Sequence, residues 1–304
     1  MWLQLQIFGF RALWSPYFMI FVISLGILYY LITGPYRHKF GGEGKPRPTL
    51  KQNIAVYTAL IILYVVKGSP VDLLSHIMLT FHMTQLALLY LAFPILLLKG
   101  LPKWLWEKVL YLPIIYPTLK LLTHPIIAIL SFNGLFSLYH IPPVFDFTKS
   151  SIPAHTVSTI ILLIAAFIMF IPMMSPIKEF DRLKPLVKIF YIFGNAVLIT
   201  PACVLIIFAD VPLYEAYTAS GAWIQALSLC VPGDILTGIP DLISGPELFS
   251  PLSILDDQQL GGIIMKILQE ITYGIILTQV FHAWFTKENL KTDPIPNQIP
   301  ESHL

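Results

Sequence analysis

Charge is scarce in this sequence. Only 12% of its 304 residues are Asp, Glu, Lys or Arg, about half the share that keeps a soluble domain's surface wet. A water-soluble globular fold is thereby excluded. Cysteine is scarcer still: Cys203 and Cys230 are the only two, too few for a disulfide scaffold, though enough for one pair or a metal contact. There is no Gly-rich phosphate loop, paired CxxC, HExxH or GxSxG pattern, so an enzymatic role finds no footing. No internal repeat is visible, and no low-complexity tract beyond the polar end "KTDPIPNQIPESHL".

Apolar residues fill the space, at 56% of the chain with a mean hydropathy of +0.73. Their runs reach the roughly 20 residues that cross a bilayer. An all-α fold follows, because a helix satisfies its own backbone in lipid; a membrane β-barrel would alternate in strands of about ten residues. The fold class is a polytopic membrane bundle of seven transmembrane helices, expected near 16–34, 52–68, 73–98, 119–139, 155–174, 186–209 and 262–285. The run at 16–32 has no small-residue cleavage site after it, so it reads as a retained span and not a signal peptide. A Trp-rich piece at 103–117 carries Pro113 and Pro117 and reads as interfacial. Residues 1–285 form one domain, with a polar tail at 286–304.

The basic residues orient this bundle. Arg37, Lys39, Lys45, Arg47 and Lys51 follow span one; Lys99, Lys103, Lys108 and Lys120 follow span three; Lys178, Arg182, Lys184 and Lys188 follow span five; Lys287 and Lys291 follow span seven. Fifteen of the nineteen Lys and Arg thus share one side, which the positive-inside rule makes cytoplasmic. The N-terminus is expected outside and the C-terminus in the cytoplasm, in a multi-pass cell-membrane protein. Basic residues spread this way give no nucleic-acid surface. The 210–260 loop then points outward, with seven Asp and Glu and no Lys or Arg. Its stretches "AWIQALSLCV" and "IPDLISG" suggest short helices on the outer membrane surface, as against a merely solvated acidic loop.

Histidines gather on the outer side. His140 and His155 bracket the 139–156 loop between two spans expected to be neighbours. Span three enters from that side as "SHIMLTFHMTQ", with His76 at its mouth and His82 about 9 Å deeper on a continuous helix. Met83 lies at i+7 from His76 and Met78 at i−4 from His82, with Gln85 a turn further. Imidazole is the commonest metal ligand, and thioethers select Cu(I). His76, His82, His140, His155, Met78 and Met83 are therefore the candidate metal ligands, read here for copper. Asp257, Gln258, Met265 and Gln85 are candidates for the surrounding shell, although an Asp at a helix N-terminus also has the simple role of complementing the dipole. Packing and capping are the plain alternatives for the interfacial histidines. His124, His38, His282 and His303 are expected on the cytoplasmic side. A haem site would need two imidazoles facing one another at depth, and only His82 lies deep, so no haem is expected.

Several stretches together resemble one bacterial family, the membrane-type CtaG assembly factors of caa(3)-type cytochrome c oxidase. They are "HMTQLALLYLAFPILLLKG", the "HP" that opens span four, "YHIPPVFD", "IPAHTVST" and "DDQQLGGIIMK". They fall in family order between residues 76 and 285. The resemblance implies a seven-span protein needed to mature a copper-containing terminal oxidase, with oxidase subunits and outer copper-delivery proteins as partners. It also implies roles for His82, His124, His140, His155, Asp257 and Gln258. Two departures stand out: many relatives carry a further histidine where this chain has Leu86, and another where it has Thr159. A metal-free scaffold that binds oxidase subunits is the alternative reading, and a transporter a weaker one for want of repeat symmetry.

Overall fold

A computed structural model describes residues 2–218, 220–238 and 245–292. The regular secondary structure of the described residues is all helical. Helix α1 (Pro16–Thr33) opens on a proline and ends before Gly34. Helix α2 (Leu50–Gly68) begins with a reciprocal cap: Gln52 N–H donates to Thr49 Oγ1 at 3.3 Å, and Thr49 N–H donates to Gln52 Oε1 at 2.9 Å. The third apolar run is not one helix. It divides into α3 (Pro70–Ile77) and α4 (Leu79–Ala87), which continues through a π turn (Leu88–Ala92) into α5 (Phe93–Gly100). The π turn falls just ahead of Pro94, which has no N–H to return to the preceding turn.

Helix α6 (Lys103–Leu110) carries the Trp-rich piece, with Trp104 and Trp106 buried. The run expected as span four is likewise divided, into α7 (Ile115–Leu122) and α8 (Pro125–Tyr139), bent by 85°. Pro125 forces its predecessor His124 out of helical geometry. Then come α9 (Pro142–Lys149), α10 (Ile152–Met174) and α11 (Pro185–Ile207). Among the described residues, six helical runs are long and apolar enough to cross a membrane, or seven when the bent α7–α8 pair is one span. The chain is a polytopic membrane protein.

Two other expectations change. The 139–156 segment is not a loop: Pro142 and Pro143 start the eight-residue helix α9, since proline's missing N–H costs nothing in a first turn. The final helix, α13 in the order used here, begins at Ile254 and not 262, and it runs to Thr292, past the expected boundary at 285; residues 293–304 of the expected tail lie outside the described residues. The 210–260 segment forms short helices, as expected, including α12 (Ser220–Leu227). They fold over one end of the bundle. Of "IPDLISG", only its last glycine, Gly245, is described.

The core has two parts. The main one joins α4, α8, α10, α11 and α13. A smaller one sits at the histidine-bearing end, where Leu5, Phe8 and Leu13 meet Leu74 and Ile77 of α3, Met78 just after it, and Trp223 and Leu227 of α12. Residues 2–14, to which the sequence assigned no role, are thus part of a cap. Hydrogen bonds fasten that cap: Tyr217 donates to Ser75 O at 2.7 Å, Tyr214 to His140 O at 2.9 Å, and Gln225 to Ser150 O at 2.7 Å. Asp146 on α9 accepts from the N–H groups of Ala216 and Glu215.

Candidate functional site

The break at Met78 decides where the histidines go. Met78 has extended backbone (φ −129°, ψ 132°), so α3 and α4 are separate helices. The first N–H of α4, on Leu79, would be an orphan donor; it donates instead to Asp257 Oδ2 at 2.6 Å, and Thr80 Oγ1 donates to Asp257 O at 2.9 Å. Asp257 therefore complements a helix N-terminus as expected, but that of α4 and not only its own. Gly261 makes this approach possible, because a Cβ there would lie 3.1 Å from backbone atoms of Leu79 and Thr80. The depth expected for His82 below His76 on one continuous helix does not apply.

His76, now on α3, is buried and meets the half-buried His155 of α10, ring centroids 5.4 Å apart at 62°. Both ring nitrogens of His155 are without a hydrogen-bond partner. On the other side of His76, Lys149 Nζ lies 3.4 Å from Nδ1. Lys149 ends α9, is only 2% exposed, and stands over the rings of Phe145 and Tyr217 at 5.7 and 6.0 Å. Burial, with help from the charge of Lys67, brings its pKa down to about 7, against the pull of Asp72. Burial first, and then Lys149, His155, Lys67 and His82, holds His76 well below the ordinary imidazole range.

His82 lies one turn into α4, sharing a 3.3 Å hydrogen bond at Nε2 with Tyr139 OH and leaving Nδ1 without a partner. Phe145 stands edge-on to it at 5.2 Å. His140, which ends α8, is fully buried against Phe136 at 4.3 Å. Its Nδ1–H donates to Phe136 O at 2.7 Å, which leaves Nε2 as the bare lone pair, and that atom too has no partner. Burial lowers the His140 pKa to about 4, opposed by the bond to Phe136, so the ring is neutral at pH 7.

Sequence reasoning brought four histidines to one end, and the structure places all four there. It does not join them into a closed ligand set. Phe145 touches both His82 and His140, at 5.2 and 6.4 Å, and no group of three His, Cys, Asp or Glu among the described residues is arranged to hold a metal ion. A four-ligand zinc site is not formed. What is present is a string of imidazoles beside aromatic rings, with unpartnered ring nitrogens on His82, His140 and His155.

The remaining candidates scatter. Met83 and Met265 are buried in the main core, and Met78 belongs to the cap core. Gln85 donates to Asp72 Oδ1 at 2.7 Å and to Val66 O, in a network that includes the Lys67–Asp72 ion pair at 2.9 Å. Gln258 accepts from Leu213 N–H at 2.7 Å and so fastens the segment after α11. His124 lies exposed at the N-terminus of α8, at the other end of that helix from His140. Cys203 and Cys230 are both free thiols. Sequence reasoning missed Lys149, whose one signal was its solitude in the 139–156 stretch, and it missed Tyr139, Tyr214 and Tyr217.

Comparison with known proteins gives one result. No curated protein and no solved structure matches the chain. The family model described as "Cytochrome c oxidase caa3 assembly factor (Caa3_CtaG)" matches residues 27–287, which contain His76, His82, His140 and His155. The family's described role is to build an oxidase and not to catalyse a reaction. The chain therefore belongs to the caa3-type cytochrome c oxidase assembly factor family.

Proposed function

We propose that this assembly factor holds Cu(I) as cargo between His76 and His155, with His82 next in line, and passes it to a nascent oxidase subunit. The observation that carries the reading is the His76–His155 ring contact, in which both nitrogens of His155 are unpartnered. Imidazoles without protons to lose suit a metal. An incomplete set releases its ion more readily than a closed one. Lys149 beside His76 repels any cation, and repels a divalent one twice as strongly, which favours a monovalent ion. The histidine end faces outward in this reading, because the Lys- and Arg-rich connections fall at the opposite ends of the spans. Copper-delivery proteins outside the membrane are then its suppliers and oxidase subunits its recipients.

The experiment is Cu(I) titration of the purified, tag-free protein beside its His76→Ala/His155→Ala variant, with oxidase copper content measured in the corresponding strains. Binding near one ion per chain that the double variant loses supports the reading. Lys149 also favours a second one: a scaffold that binds oxidase subunits without metal, in which the lysine fills the space an ion would take. Stoichiometry near zero, with oxidase assembly still dependent on the protein, selects the scaffold.

A further inference from the structure

One ion pair sits where a membrane protein rarely exposes one. Lys266 and Glu270 lie on α13, Nζ to Oε1 at 2.7 Å, with side chains 29% and 55% exposed. Their depth can be read from the neighbours of α13. Near one end, Asp257 caps the first residue of α4; towards the other, Lys99 at the end of α5 donates to Gln279. Glu270 is between these levels, about 20 Å from the first and 13 Å from the second at 1.5 Å per residue. Lys266 Nζ also donates to Ala196 O at 3.3 Å and to Thr200 Oγ1 at 3.0 Å, and Ala196 is the middle residue of α11. The pair is therefore at mid-membrane.

The two partners differ. Lys266 is tied inward to α11 and to Gln269. Glu270 projects outward, and its Oε2 has no hydrogen bond among the described residues. On the same helix Ile267 and Ile271 are exposed, and so are Phe193 and Val197 on α11, which packs against it. One turn on, Gly274 leaves open space where a side chain would stand. A carboxylate is too short to reach either interface from this depth, and lipid tails offer it no donor.

We infer that the α11–α13 flank at Glu270 is covered in the working complex by a transmembrane helix of the oxidase under assembly, which places a hydrogen-bond donor against Glu270 Oε2. The partner's identity rests on the assembly reading above. Close approach is permitted by Gly274, and polar contacts between membrane helices are strong enough to select a partner.

The test places a photo-crosslinking residue at Ile271 and, as a control, at the exposed Ile27 of α1, in cells making the oxidase. Crosslinks from position 271, but not 27, to an oxidase membrane subunit are expected. Glu270→Leu should cut the co-purified subunit at least tenfold while the chain accumulates normally and binds Cu(I) as before. Crosslinks from 271 to lipid alone, or to a second copy of this chain, overturn the proposal, as does full co-purification with Glu270→Leu. If that variant fails to accumulate, the crosslinks made with Glu270 intact decide. A strain lacking the protein that still makes active oxidase refutes the assembly reading instead, and the two failures are told apart.

Discussion

Lys149 presses its amine against His76, 3.4 Å from Nδ1, and no carboxylate among the described residues is in salt-bridge contact with it. At an effective dielectric of 20, two unit charges about 4 Å apart repel by about 4 kcal/mol. Even after heavy screening, Lys149→Met is expected to tighten Cu(I) binding by about tenfold. Competition against a chromophoric Cu(I) chelator measures this. Unchanged affinity would place the ion away from His76.

The same lysine makes stability depend on pH. Its folded pKa, about 7, lies below the ordinary 10.5, so between these values the unfolded chain holds a proton that the native one has released, and stability rises with pH. Below pH 7 both states are protonated and the full cost of burying the charge is present. Lys149→Met should therefore melt higher than the parent at pH 6, and its advantage should shrink steadily from pH 7 towards 10. Thermal melts in detergent, without metal, decide this.

The histidines separate into two classes. Cu(I) bound by the purified protein should be lost with His155→Ala and weakened with His82→Ala, and it should be unaltered with His124→Ala at the other end of α8. Equal loss in all three variants would mean that folding, and not ligation, had been measured.

Asp257 is expected to act on stability alone. Asp257→Ala leaves the Leu79 N–H without its acceptor and should cost about 1 to 2 kcal/mol, the usual range for a lost helix cap. Cu(I) stoichiometry should not change. A metal deficit at normal protein level would return Asp257 to the ion's surroundings.

Gly261→Val should be worse. Even a bare Cβ would sit 3.1 Å from the backbone of Leu79 and Thr80, and overpacking of this kind costs about 1 to 3 kcal/mol. The protein's level in the membrane should fall sharply, with Gly261→Ala falling less.

Helical class and membrane character were legible in the apolar runs, and so was the gathering of His76, His82, His140 and His155 at one end. The break at Met78 was not. Nothing in "SHIMLTFHMTQ" interrupts a helix, because no proline or glycine is there; the cause is a carboxylate 178 positions away in sequence. Lys149 was likewise unreadable as a buried charge. Its burial is completed by Tyr217, on a segment whose acidic, loop-like composition gave no sign that it would close over the bundle. At Pro142 and Pro143 the residues that follow the end of α8 also start the next helix, α9.

The Asp257 cap has a consequence for the order in which the protein is made. Helices α3, α4, α8, α9 and α10, which carry all four histidines and Lys149, emerge from the ribosome before the last span. The residue that lets the chain stop at Met78 and restart at Leu79 comes with that last span. Until it is inserted, the first donor of α4 lacks its acceptor and the gap between His76 and His82 is not fixed. The fixed junction between α3 and α4 is thus acquired at the end of synthesis, and a truncated chain that keeps every histidine would still lack the carboxylate that caps it.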